Sequence, residues 1–171
     1  MTLSHDHQLL ILGSESSTFV YVYRYDGANF TRNQTISGPS GNKRIFLTDD
    51  KEYLVIPNEV GGNVEVYRND GSQFTQLQNN GSLTFSSNSP YASISSNGQL
   101  LLVSTVTQSL VFKGITEDKA VQVQSLPRSY SHAFSRNSPY VVMGYQDQAD
   151  VYIYCNYDLS GKAYNPSSQQ C

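Results

Sequence analysis

The sequence predicts an all-β chain, a β-propeller of about four four-stranded blades, on two observations. One turn-and-strand pattern recurs four times along residues 3–154. Within each copy, apolar or aromatic residues alternate with polar ones at the period of two that a strand with two distinct faces requires. A partial propeller completed by another subunit satisfies the same observations.

The first pattern occupies residues 3–11, 47–55, 94–102 and 134–142. Each copy runs from an apolar anchor (Leu3, Leu47, Ile94, Phe134) through a hydroxyl residue and a polar turn into an apolar strand. The anchors stand 44, 47 and 40 residues apart, the usual length of one four-stranded blade. These segments read as strands A and B.

The second pattern, at residues 19–25, 63–68, 109–113 and 150–154, alternates cleanly in β-branched and aromatic residues and reads as strand C. In two copies Asp26-Gly27 and Asp70-Gly71 follow, hairpin turns in which Gly accepts positive φ, leading into strand D at Phe30 and Phe74. The third copy has residues 116–119 instead, then a strand near Val121 to Val123. The units are therefore 1–42, 43–81, 82–129 and 130–154, with a Cys-bounded tail at 155–171. A meandering sandwich or barrel is the alternative, but neither usually repeats its sequence at this period.

Composition bounds the function. Hydrophobic residues make up 38% of the chain and charged ones 15%, with 13 Tyr and no Trp, a mixture suited to strands with polar outer faces. The net charge of -3 comes without a dense Lys or Arg cluster, so nucleic acid is not an expected partner. Apolar stretches such as residues 9–12 and 100–103 are far short of the roughly 20 residues of a spanning helix, so no membrane-spanning segment is expected.

The ends do not match a complete ring. Met1 enters inside the first strand A, and the fourth copy loses its alternation after strand C, leaving an open sheet edge that invites pairing with another chain. Residues 1–6 have neither the basic start nor the apolar run of a signal peptide. Either the protein is cytosolic or these residues are a segment of a longer chain.

Residues 48–74 carry a signature of hydroxyl, four residues, apolar strand, then Gly-Asn-Val-x-Val-Tyr-Arg-x-Asp-Gly-x-x-Phe. It resembles WD-like and integrin-type FG-GAP propeller repeats. The resemblance implies a propeller scaffold. It does not bring calcium with it, since Asp49 and Asp50 are only two adjacent carboxylates, and the Trp-Asp dipeptide of true WD repeats is absent.

The tail resembles the start of furin-like Cys-rich extracellular modules, with Gly161, Tyr164 and Asn165 set between Cys155 and Cys171. A Cys155–Cys171 disulfide would close a loop worth roughly 3 kcal/mol in the chain-entropy model, and would imply an oxidising compartment. Two free thiols are the alternative. Three sequons, at Asn29, Asn33 and Asn80, are candidate glycosylation sites; Asn29 and Asn33 are expected on one face of the outermost strand and Asn80 in a turn.

No catalytic or metal site is expected, and no cofactor. His5-Asp6-His7 has the residue types of a zinc or proton-transfer site, but falls in the A-to-B turn, where other copies carry unrelated polar residues. Ser131 and His132 are strand neighbours and point to opposite faces. Glu15, Glu59 and Asp147 occupy corresponding B-to-C loops, as ordinary loop polarity or as a rim for a cation or basic ligand.

The sequence therefore favours a non-enzymatic, secreted or cell-surface interaction propeller whose partners are other protein chains, copies of itself included. A glycan- or ligand-binding propeller, or a lactonase-like hydrolase using the central channel, is the second reading. An intracellular WD-like scaffold in the cytoplasm is the third.

Overall fold

The computed structural model describes residues 1–14, 17–38, 44–58, 62–77, 82–84, 91–115, 120–135, 140–144 and 151–155. The first sheet orders β1 (Thr2–Leu3), β2 (Leu9–Gly13), β3 (Phe19–Tyr25) and β4 (Phe30–Ser37) side by side. The second contains β5 (Phe46–Leu47), β6 (Tyr53–Asn58), β7 (Asn63–Asn69) and β8 (Phe74–Gln76), with β9 (Ser82–Thr84) also on β7. β10 (Tyr91–Ile94), β11 (Leu100–Ser104), β12 (Gln108–Lys113) and β13 (Val121–Pro127) form the third. The fourth has three strands, β14 (Ser131–Phe134), β15 (Tyr140–Gly144) and β16 (Val151–Cys155). All pairings are antiparallel between chain neighbours, apart from β9, which returns to β7 and carries the second unit past residue 81 to Thr84.

The hydroxyl residue of each repeat has a structural cause. Oγ of Ser4 accepts from the amide of Leu9 at 2.8 Å and donates to Asp6 at 2.7 Å. The Thr48 hydroxyl accepts from the amide of Tyr53 and donates to Asp50, and Ser95 repeats the arrangement with Leu100 and Asn97. In the fourth unit Ser135 accepts from the amide of Tyr140. The side chain thus closes a turn whose backbone groups would otherwise lack partners. The third turn residue has positive φ, at His7 (58°), Lys51 (64°) and Gly98 (71°). Two copies place a non-glycine residue there, in the left-handed region that costs a side chain roughly 1 kcal/mol.

The Asp-Gly hairpins form as expected. Asp26 Oδ1 accepts from the amides of Ala28 and Asn29, and Asp70 Oδ1 from those of Ser72 and Gln73. Gly27 and Gly71 take φ of 102° and 96°. These backbone donors hold both carboxyls below their ordinary range.

Side chains of alternate parity fill the spaces between successive sheets. Leu9, Ile11, Val20, Val22, Leu54 and Ile56 pack between the first and second. Val55, Val64, Val66, Leu101 and Val103 pack between the second and third, and Leu100, Leu102, Val111, Val141 and Met143 between the third and fourth. Every residue of β6 is buried, because a sheet covers each of its faces.

Polar side chains tie the same layers together at their outer edge. A bulge in β4 leaves Asn33 between the pairs Tyr23–Arg32 and Val22–Gln34. Gln34 then reaches the next sheet, its Nε2 donating to the Phe74 carbonyl at 2.7 Å and its Oε1 accepting from the Phe74 amide at 2.8 Å. One side-chain amide thus pairs with a strand as another strand's backbone would.

Candidate functional site

Two features outside the ordinary cores can carry function: a polar cluster where the innermost strands begin, and the faces at the ends of the stack.

The cluster is built by β10, β11, β12 and β14. Tyr91 opposes Ser104 across β10–β11, and Ser104 opposes Ser109 across β11–β12, so the three share the face turned toward the fourth sheet. Ser104 Oγ lies 2.7 Å from Ser109 Oγ, 2.8 Å from Ser129 Oγ and 3.0 Å from Nδ1 of His132. The guanidinium of Arg44, just before β5, sits 4.7 Å over the Tyr91 ring, a cation–π contact. Burial pushes the His132 imidazole down to about 4, and the positive charge of Arg44 adds to that. At neutral pH the ring is therefore uncharged and can accept from a serine hydroxyl.

A serine beside a neutral imidazole is the start of a nucleophile–base pair. Ser104 is 0% exposed, however, and cannot meet a substrate. The histidine also meets Ser129 Oγ at 3.5 Å and makes a backbone hydrogen bond to Leu102, which raises its pKa less than burial lowers it. As arranged, the cluster is a hydrogen-bonded staple between the third and fourth sheets, with the Arg44–Tyr91 pair beside it.

The end faces are apolar. Val142, Val151 and Ile153 are 38%, 66% and 56% exposed, and Val142 lies directly opposite Ile153 in the β15–β16 pair. The same register positions in the first two sheets are Ile11, Val20 and Val22, then Val55, Val64 and Val66, all packed against the next sheet and almost fully buried. On the first sheet the opposite end exposes Leu3 (46%) and Phe19 (41%). Each end thus carries half of a sheet-to-sheet interface.

No family model matches the chain, and no curated protein sequence is similar to it. Solved structures are similar in fold. A candidate 6-phosphogluconolactonase from Bacteroides uniformis superposes with a TM-score of 0.75 at 15% identity, over 94% of this chain and 51% of that one. The periplasmic gluconolactonase PpgL of Pseudomonas aeruginosa gives 0.69 at 19% identity, over 94% and 50%. Sqt1 of Chaetomium thermophilum, bound to the N-terminus of the ribosomal protein L10, gives 0.70 at 18% identity, over 91% and 45%. The chain spans about half the length of these structures. It is a partial β-propeller.

The four sheets are its blades, and the other residues singled out in the sequence can be placed on them. His5, Asp6 and His7 lie exposed in the first A-to-B turn, where Lys51 pairs with Asp6 across the blade boundary and holds its carboxyl far below the usual range. No group of three metal-ligating side chains occurs among the described residues. Ser131 and His132 do occupy successive positions of β14, opposite Gly144 and Met143. The serine that meets His132 is Ser104, which the sequence reading did not single out.

One expectation is corrected. Asn29 and Asn33 do not share a strand face: Asn29 belongs to the Asp26 turn before β4, and Asn33 is the bulged residue, its Nδ2 donating to the Ser72 carbonyl at 2.8 Å. Both are exposed. Asn80, Glu15, Glu59, Asp147 and Cys171 lie outside the described residues, and Cys155 closes β16. No helix among the described residues is long and apolar enough to cross a membrane.

Proposed function

We propose that this chain is a non-enzymatic structural propeller, secreted or at the cell surface, that holds other protein chains, copies of itself included, against its blade ends. The observation that carries this reading is the exposure of Val142, Val151 and Ile153 at positions that the other blades bury. Exposed apolar surface of this kind marks a binding face, and a head-to-tail contact between unlike ends propagates until it closes into a ring or forms a filament. Light scattering over a range of protein concentrations tests it. A rising mass supports assembly, and a monodisperse monomer counts against the self-assembling form.

The extracellular half of the proposal rests on the furin-like resemblance of the tail between Cys155 and Cys171 and on the exposure of Asn29 and Asn33. The cytoplasmic scaffold is the competing placement, and the likeness to Sqt1, which is bound to a ribosomal protein, favours a protein partner in either compartment.

A second reading, a lactone hydrolase or ligand-binding propeller, draws on the likeness to the gluconolactonase of Pseudomonas aeruginosa and on Arg44 and Tyr91 at the start of the inner strands. Its test is hydrolysis of a sugar lactone by the chain and by Arg44→Ala.

A further inference from the structure

A cleft of about 390 Å³ lies between the first and second blades, where Gln8 and Arg24 of the first face Asp50, Lys51, Glu52 and Asn69 of the second. That volume is in the range of small-ligand sites. Hydrogen bonds across the blade boundary fix its walls. One terminal nitrogen of Arg24 donates to the carbonyls of Gly71 and Ser72 at 3.0 and 3.2 Å, and Lys51 pairs with Asp6. Asn69 Nδ2 donates to the Lys51 carbonyl at 3.0 Å.

The charges in this wall are not what closes the turn that carries them. The third blade builds the same turn with Asn97, Gly98 and Gln99 where the second has Asp50, Lys51 and Glu52. Asn97 Oδ1 accepts from the Ser95 hydroxyl as Asp50 Oδ1 does from Thr48. Gly98 takes its φ of 71° freely, whereas Lys51 is held at 64°, in the left-handed region that disfavours a side chain.

We propose that the cleft is a binding site for a neutral polyol of monosaccharide size. Two cations, Arg24 and Lys51, and two carboxylates, Asp50 and Glu52, line it together with the side-chain amides of Gln8 and Asn69. The charges balance, so a ligand of either sign would meet a like charge. A hydroxyl both donates and accepts, and a polyol can therefore donate to the carboxylates while accepting from the guanidinium, the ammonium and the amides. The site involves none of the end-face residues and stands apart from the interaction reading above.

The probes are the methyl glycosides of glucose, galactose and mannose, titrated into the full isotope-labelled chain and followed by backbone amide shifts. At least one of them should move the signals of Gln8, Lys51 and Gly71 saturably. Gln8→Ala should weaken that binding roughly fivefold, and Asp50→Asn, which removes a charged acceptor, roughly tenfold. Asp50→Asn reproduces the third blade's turn and Gln8 is exposed, so both variants should melt with the parent. Three results overturn the proposal: no saturable shift with any glycoside, binding indifferent to both variants, or a preference for succinate or glycine over the sugars.

Discussion

Nδ1 of His132 lies 3.0 Å from Oγ of Ser104, a contact that joins the fourth blade to the third, and burial together with the charge of Arg44 disfavours the protonated ring there. A histidine that titrates at about 4 when folded and at about 6.5 when unfolded binds fewer protons in the native state between those values. Stability is therefore fully present above the unfolded value and is lost as pH falls from about 6.5 toward 4. The linkage amounts to roughly 3 kcal/mol at most. Urea midpoints at pH 7 and pH 5 should differ in the parent protein, and the difference should shrink in His132→Ala. Equal pH dependence in the two proteins would remove the histidine from the account.

Gln34 should behave as a structural residue of the first blade junction. Gln34→Ala leaves the N–H and C=O of Phe74 without partners in a part-buried place, a cost of about 2 kcal/mol. Gln34→Glu keeps the acceptor and loses the donor, so it should fall between the parent and the alanine variant in urea denaturation.

Thr48→Val preserves shape and removes the hydroxyl that accepts from the Tyr53 amide and donates to Asp50. The unpaired amide is buried, and about 1–3 kcal/mol of stability should be lost. A variant as stable as the parent would mean that the repeated hydroxyl is not what closes the turn.

The compartment is open to a direct check. Secreted material should gain two hydrogens in intact mass on reduction, from one Cys155–Cys171 bridge, and should lose mass on glycosidase treatment if Asn29 or Asn33 is modified. An unchanged mass in both treatments favours the cytoplasmic scaffold.

The blade pattern was legible because its causes are local. A hydroxyl five residues before the strand amide it caps, and an Asp-Gly pair between alternating runs, act within a few residues and leave a repeated trace. The cluster around His132 was not legible, because Ser104, Ser129 and Arg44 reach it from other sheets or loops. One sign was present: Ser109 stands where the other blades have Val20, Val64 and Val151, so a hydroxyl replaces a β-branched apolar residue at a core position. The Asn33 bulge was hidden for a related reason. Gln34 beside it finds its partner, Phe74, in the next blade.

The central claim is that the chain's end faces are halves of blade interfaces, and sedimentation velocity over a wide concentration range tests it most directly. The account predicts association in the parent and a monomer at every concentration for the double variant Val151→Lys, Ile153→Lys, whose substitutions fall on exposed positions and leave the fold intact. A parent that stays monomeric throughout, or a double variant that assembles as the parent does, would contradict it.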